Sequence, residues 1–155
     1  MHQTQYKIRS TQVDSFGHLN NAAYLELSEW ARWEWGEASG LDHHEMVHQR
    51  KIGPAILHID LTFSKEIRLH ETVTVRTWFH KAEKAKAVVA QEMLRSTGEI
   101  ASKALIEFVM FNLEDRRAVP LPDDMRALYE KDADYRRSLE EDGLVPASKA
   151  LPERT

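Results

Sequence analysis

The chain has 155 residues, no cysteine and a formal net charge of −4 at pH 7. This length is that of one ordinary domain, and the absence of cysteine excludes disulfides and thiolate chemistry. Hydrophobic residues make up 42% and charged residues 30%, which predicts a globular domain rather than a disordered or fibrous chain. The acidic balance argues against a nucleic-acid partner. Without an apolar leader or a membrane-length apolar run, we expect a cytoplasmic protein with no membrane partner.

The first predicted elements are a strand over residues 5–13 and a long helix that follows a polar turn. The helix covers residues 21–39, because this segment lacks proline and is rich in Ala, Leu and Glu. Asn20 or Asn21 caps its start, and Gly40 ends it. At 100° per residue, one face of the helix carries a stripe that we expect in the core: Ala23, Tyr24, Leu27, Trp30, Ala31, Trp35 and Ala38.

Four more strands follow with short turns between them, and a short helix over residues 122–131 comes after them. The strands are predicted at residues 55–63, 72–80, 86–94 and 100–113. Successive strands joined by turns are antiparallel, and such a sheet can wrap one long amphipathic helix. The sequence therefore predicts an α+β domain over residues 1–132, followed by a charged C-terminal extension over residues 133–155.

The loop between the first strand and the long helix carries the residues that point to chemistry. Asp14 supplies a carboxylate, and the start of the helix supplies backbone N–H groups that can polarise a carbonyl oxygen. Gly17 lets the backbone bend, and His18 adds an imidazole that titrates near neutrality. This combination is typical of an acyl-transfer site facing a cleft. The alternative is that Asp14 simply closes an Asx turn.

This segment, D-S-F-G-H-L-N-N-A-A-Y-L followed by E-W-A-R, resembles a known pattern. It is similar to the D-x-x-G-H-x-N-N-x-x-Y-L and E-x-x-R residues of the hotdog-fold acyl-CoA thioesterases related to 4-hydroxybenzoyl-CoA thioesterase. The order of elements and the domain length are also similar over residues 5–130. The turn before the third strand departs from the family, because His70 and Glu71 stand where relatives often carry Pro and Gly-Asp.

The resemblance implies a hotdog fold, in which an antiparallel sheet wraps one long central helix, and a thioester hydrolase without a metal or redox cofactor. In this family pattern Asp14 attacks the thioester carbonyl or activates a water, and the backbone N–H of Asn21 holds the carbonyl oxygen. His18 completes the catalytic loop. Coenzyme A enters as part of the substrate, and the residues expected to contact the substrate are Gly17, Asn20, Tyr24, Glu29, Lys84 and Lys86. The family also implies a homo-oligomer, either a dimer or a tetramer.

For several of these residues, an ordinary structural role is the alternative to a functional one. His18 and Asn20 could hold the loop in shape, and Tyr24 could be a core residue. Glu29 could form an ordinary surface pair with Arg32, three residues later, or approach a partner subunit's cleft. The lysines near residues 84–86 could belong to a solvated turn.

Three other functions stay open. A thioesterase acting on acyl-carrier protein has a similar loop, and a non-catalytic acyl-CoA-binding module would keep the loop for its architecture only. Residues 44–48, H-E-M-V-H, match the H-E-x-x-H pattern of zinc metalloproteases. The metalloprotease pattern belongs in a buried helix, whereas here it lies in a polar stretch and meets Gly53 five residues later. We therefore expect no metal site there.

Overall fold

The computed structural model describes residues 1–141, which form an antiparallel sheet packed against one long helix. The strands are β1 (His2–Lys7), β2 (Ile52–Phe63), β3 (Thr72–Ala82), β4 (Lys86–Leu94), β5 (Ile100–Asn112) and β6 (Arg117–Ala118). The helices are α1 (Asn21–Ala38), α2 (His43–His48), α3 (Asp123–Lys131) and α4 (Ala133–Glu141). The sheet order is β1-β3-β4-β5-β2, with the short β6 on β5, and every pairing is antiparallel. This arrangement confirms the predicted α+β fold.

Helix α1 buries one face against the sheet, as its apolar pattern predicts. The buried side chains of the predicted stripe are Ala23, Tyr24, Leu27, Ala31 and Trp35. Trp30 and Ala38 were predicted on the same stripe but are exposed. Trp30 lies about 100° from the centre of the buried face at 100° per residue, so it packs at the flank, edge-to-face with Tyr6 at 5.9 Å.

The first strand ends earlier than predicted, at Lys7 rather than at residue 13. Residues Ser10–Gln12 form a single turn of 3-10 helix instead. The Gln12 side chain accepts a hydrogen bond from the Arg9 N–H at 2.8 Å, and the Gln12 N–H donates to the Arg9 carbonyl at 3.0 Å. Local bonds of this kind replace the ladder of a strand, and they direct the chain into the loop before α1.

Strand β2 lies at an edge of the sheet. Its register puts a row of apolar side chains on the same sheet face that α1 covers over the other strands. Ile56 pairs with the buried Phe108 of β5, and Ile59 pairs with the buried Ile106. Ile56, Ile59 and Phe63, here called the β2 strip, are 47%, 37% and 48% exposed. The α1 helix does not extend over this edge, so the β2 strip is an open apolar surface of the single chain.

The C-terminal part of the described chain packs on the sheet. The predicted boundary after residue 132 falls between α3 and α4. In α4, the Tyr135 ring meets the buried Trp78 of β3 edge-to-face at 5.2 Å, and Arg136 donates to the Phe79 carbonyl at 2.9 Å. The rest of the predicted extension, residues 142–155, lies outside the described residues. Among residues 1–141, no helix has both the length and the apolar character needed to cross a membrane.

Candidate active site

The loop before α1 holds Asp14 in a defined orientation. Asp14 Oδ1 accepts hydrogen bonds from the backbone N–H groups of Phe16 at 2.9 Å and His18 at 3.1 Å. The Asp14 N–H donates to the His18 carbonyl at 2.8 Å, and Gly17 adopts a φ of +76°, which favours glycine. The predicted Asx turn therefore exists. It occupies one carboxylate oxygen and leaves Oδ2 without a hydrogen bond from the described residues, so the turn and a chemical role are compatible.

Polar contacts join the same loop to the segment over residues 64–71. The Leu19 N–H donates to the carbonyl of the fully buried Ile67 at 2.7 Å. The His18 Nε2 atom lies 3.2 Å from Glu66 Oε2. His18 thus shapes the loop through its backbone and ties it to the neighbouring segment through its ring.

The first turn of α1 offers a free backbone donor. Asn20 Oδ1 accepts from the Ala22 N–H at 3.0 Å, and the Asn20 carbonyl accepts from the Ala23 N–H at 2.9 Å. The Asn21 N–H makes no hydrogen bond to the described residues. A helix N-terminus carries a partial positive charge, and an unpaired N–H there is a ready partner for an oxygen that gains negative charge.

Tyr24, predicted as a substrate contact with core packing as the alternative, lies in the core beneath this loop. Its ring meets Phe63 edge-to-face at 4.9 Å, and its hydroxyl donates to the Lys65 carbonyl at 3.4 Å. Burial raises the pKa of the Tyr24 hydroxyl. These contacts make Tyr24 a packing residue that joins the start of α1 to the end of β2.

A cavity of about 410 Å³ lies farther along α1, between its second half, α2, β2 and β5. Most of its lining is apolar and includes Trp35, Met46, Ile56, Phe79, Ile106 and Phe108. Glu29 and Arg32 line the end nearer to Asn21. Asp14 is exposed and does not line this cavity, so the sequence expectation that Asp14 faces a cleft is not met within one chain. Glu29 forms no ion pair with Arg32 in the described structure, and its carboxylate accepts from the Trp33 indole N–H at 3.4 Å.

The structure does not bring Lys84 and Lys86 near Asp14. β1 leads into the Asp14 loop and its last residue pairs with Thr72 at the start of β3, whereas the two lysines follow the end of β3. Ten steps of β3 at about 3.3 Å each separate the two ends by roughly 33 Å. Lys86 Nζ lies 3.6 Å from Glu107 Oε1. Any role of these lysines in holding coenzyme A at Asp14 therefore requires a second copy of the chain.

Sequence reasoning missed two exposed cations beside the loop, Lys65 and Arg68. A bridge between His18 and Arg68 places the second of them next to the Asp14 turn. Both side chains are exposed. The sequence offered no signal for this proximity, because the loop and the 64–71 segment are about fifty residues apart and pair only in the folded chain.

The H-E-x-x-H segment forms α2, a helix of six residues. His44 and His48 are exposed, with ring centroids 4.4 Å apart. The Glu45 carboxylate accepts from Arg50 Nε at 3.1 Å, and Met46 turns into the core. Within residues 1–141 no group of three or more His, Cys, Asp or Glu side chains is placed to hold a metal ion. The segment is a short solvated helix, and its carboxylate is engaged by an arginine.

Comparison with known proteins agrees with this fold and loop. The sequence profile of the thioesterase-like superfamily matches residues 8–128. The chain belongs to this superfamily. The match covers the Asp14 loop, α1 and all the strands from β2 to β6.

Relatives in the superfamily include the long-chain acyl-CoA thioesterase FadM of Escherichia coli (strain K12). It is 28% identical over 130 residues, which cover 83% of this chain and 97% of FadM. Among solved structures, the 1,4-dihydroxy-2-naphthoyl-CoA thioesterase Slr0204 from Synechocystis is 14% identical with a TM-score of 0.76, covering 82% of this chain and 93% of Slr0204. SAV2348 from Staphylococcus aureus, solved in complex with CoA, is 17% identical with a TM-score of 0.76, covering 87% of this chain and 83% of SAV2348. The two structures show the shared fold.

Proposed function

We propose that this protein is an acyl-CoA thioesterase, which hydrolyses a thioester to a free acid and coenzyme A. Membership of the thioesterase-like superfamily and the similarity to FadM support the reaction class. The observation that carries the proposal is that one loop, held by hydrogen bonds, presents two polar groups that have no hydrogen-bond partner among the described residues. Asp14 Oδ2 is a free acceptor and the Asn21 N–H is a free donor among the described residues, while the N–H groups from Phe16 to Asn20 and that of Ala22 are engaged in holding the loop.

In the proposed reaction the Asn21 N–H donates to the thioester oxygen, which gains negative charge as the carbonyl carbon is attacked. Asp14 acts in one of two ways. It attacks the carbonyl carbon, expels the thiolate of coenzyme A and forms an anhydride that water then opens. Alternatively, it takes a proton from a water that attacks the carbon directly. Both routes consume one water and release the same acid and thiol.

Asp14→Asn tests the chemistry with little change in structure, because an asparagine Oδ1 can accept the same two loop hydrogen bonds. We expect loss of at least about 100-fold in kcat on hexadecanoyl-CoA, followed by release of the thiol. Asp42→Asn is the matched control, since Asp42 also accepts a backbone N–H, that of Glu45 at 3.0 Å, but caps the distant α2. Parent-like activity of Asp14→Asn would contradict the proposal.

Two alternatives are separated by the same assay. Faster turnover of acyl groups on carrier protein than on coenzyme A, for matched chains, would move the substrate to acyl-carrier protein. Tight acyl-CoA binding without turnover at any chain length would make the protein a non-catalytic binding module.

The proposal includes a homo-oligomer, supported by the open β2 strip. Three apolar side chains on an edge strand form an exposed surface of the kind that a second copy covers. Phe63, at one end of the strip, contacts Tyr24 under the catalytic loop. A subunit covering the strip would therefore also cover Phe63 and Tyr24, at the start of the helix whose first N–H is the proposed donor.

Ile59→Asp tests this part of the proposal, because it places a charge in the middle of the strip. We expect a lower molar mass in light scattering and a lower kcat. Thr62→Asp is the matched control, since Thr62 is exposed on the opposite face of the same strand. An unchanged mass for Ile59→Asp would contradict assembly through the β2 strip, and a monomeric parent protein would contradict the homo-oligomer. The mass of the parent decides between dimer and tetramer.

The cytoplasmic location and the independence from metal or redox cofactors also belong to the proposal. Cell fractionation tests the location. Dialysis against a chelator tests the independence from metal, and we expect the activity to be retained. Activity that is lost to the chelator and restored by zinc would contradict it.

A further inference from the structure

The cavity beside α1 contains a charged group in an otherwise apolar wall, the guanidinium of Arg32. Arg32 Nη1 donates to Gln91 Oε1 at 2.9 Å. Burial lowers the pKa of Arg32, and the negative charge of Glu29 partly offsets this effect. The guanidinium therefore stands in a poorly solvated place, where a charge is stable only when its donors are used.

Gln91 fixes the position of this guanidinium. It is 2% exposed on β4, and its Nε2 donates to the Ser28 carbonyl of α1 at 2.9 Å and to Thr77 Oγ1 at 3.0 Å. Both the nitrogen and the oxygen of the Gln91 amide are thus hydrogen-bonded, and the oxygen accepts from Arg32. A buried amide held in this way pre-orients its arginine partner rather than following it.

The remaining donors of Arg32 have no carboxylate partner in the described part of the chain. A guanidinium carries five N–H donors, and a single one is used by Gln91. Glu29, one turn earlier, attracts the guanidinium over a distance but directs its carboxylate to Trp33. An occupant of the cavity would therefore meet a fixed donor set. Because Glu29 already offsets the charge, a neutral oxygen suits this place better than a second carboxylate.

We propose that the cavity takes the distal part of a long acyl chain and that Arg32 donates a hydrogen bond to a hydroxyl or oxo group carried there. This inference rests on the proposed function. The enzyme would then favour long-chain acyl-CoA substrates that are oxygenated far from the thioester over unsubstituted chains of equal length.

The geometry of α1 sets the length of such a chain. Arg32 lies eleven residues after Asn21, about 16 Å along the axis at 1.5 Å per residue and about 20° around it. The exposed Leu25 lies between them on the same face of α1 and offers an apolar contact to a chain that runs from Asn21 to the cavity. At about 1.2 Å per bond of an extended chain, 16 Å corresponds to roughly 14 bonds.

The test compares three substrates of equal length: hexadecanoyl-CoA, 14-hydroxyhexadecanoyl-CoA and 2-hydroxyhexadecanoyl-CoA. We expect kcat/KM to be about 10-fold higher for the distal hydroxyl than for the plain chain, because an unsatisfied buried donor is costly. The hydroxyl beside the thioester cannot reach Arg32 and should give no such gain. Hydrolysis of all three substrates at equal kcat/KM would overturn the inference and leave the proposed function standing. Hydrolysis of decanoyl-CoA but of none of the three would also overturn the inference, and hydrolysis of no acyl-CoA, decanoyl-CoA included, would overturn the proposed function instead.

Arg32→Met assigns the preference to the guanidinium. We expect the 10-fold ratio to fall to about 2-fold or less, with turnover of the short decanoyl-CoA unchanged because its chain ends before Arg32. Arg137→Met, which removes an exposed arginine of α4, is the matched control and should keep the ratio. A ratio that survives in a folded Arg32→Met protein would refute the role of Arg32. If this variant does not fold, Arg32→Lys with non-hydrolysable thioether analogues in calorimetry gives the same comparison from binding alone.

Discussion

Replacing Asn21 by proline isolates one atom of the proposed site. Asn21 is the first residue of α1, and a proline is well tolerated at this position because its fixed φ suits a helix start and the N–H there is unpaired. The preceding Asn20 has φ −64° and ψ 142°, which is the extended conformation that a residue before proline requires. The substitution therefore removes the proposed donor to the thioester oxygen with little disturbance of the helix.

The expected loss follows from the chemistry of such donors. Removing one hydrogen-bond donor to a developing oxyanion lowers kcat by about 100-fold to 1,000-fold, or about 3–4 kcal/mol of transition-state stabilisation. The Asn20 cap to Ala22 is untouched, so the melting temperature should change by a few degrees at most. Asn21→Ala keeps the N–H and serves as the control, with kcat within about 3-fold of the parent.

The assay is steady-state release of coenzyme A thiol from hexadecanoyl-CoA, with the melting temperature of each variant measured alongside. A loss in kcat for Asn21→Pro, with Asn21→Ala active and both variants folded, supports the backbone donor. Equal kcat for the proline and alanine variants would refute it, because the N–H is the one group that distinguishes them chemically at the site.

Two further substitutions test packing and charge. Leu27→Ala should lower the free energy of unfolding by about 2–5 kcal/mol, because Leu27 is fully buried between α1 and the sheet. The control Leu25→Ala, on the exposed side of the same helix, should lower it by less than about 1 kcal/mol. Equal losses of the two variants in denaturant titrations would contradict this prediction. Burial opposes ionisation of Glu71, but bonds from the Arg68 N–H, Arg95 and Ser96 outweigh it and lower its pKa. The charge therefore stabilises the fold above the ordinary glutamate pKa of about 4.3 and loses its effect as the pH falls through the lowered value. Glu71→Gln should melt earlier than the parent at pH 7 and by a smaller margin below pH of about 4, and a constant margin across this range would contradict the assignment.

Local patterns predicted most of the fold, because they reflect contacts between near neighbours. The start of α1 and the bounds of β4 follow directly from composition and from the turn residues that flank them. The position of Trp30 could not be predicted in the same way. Its apolar character argued for the core, but Tyr6 of β1 offers a half-covered site at the flank of α1, which only the placement of the strand reveals.

The candidate site likewise contains some residues that a local sequence pattern predicts and others that only the folded chain brings together. Asp14, His18 and Asn21 fall in one contiguous segment, so a single loop pattern can indicate them together. Arg32 and Gln91 are 59 residues apart and meet only because α1 crosses β4 in the folded chain. Simple alternation puts Ile59 and Phe63 of the β2 strip on one face, but it could not predict Ile56 there, because Ile56 joins them through a register shift that only the paired strands reveal.

The β2 strip runs from the start of α1 to the cavity, and this would link assembly to the proposed catalysis. At one end Phe63 of the strip packs on Tyr24, in the first turn of α1. At the other end Ile56 lines the cavity together with Arg32. A second copy that covers Ile59, midway between them, would form the outer wall of the path from the thioester to the cavity. Long chains need this wall along their whole length and short chains need only its first part, so Ile59→Asp should lower kcat/KM more for hexadecanoyl-CoA than for butanoyl-CoA. An equal loss on both substrates would separate assembly from chain binding.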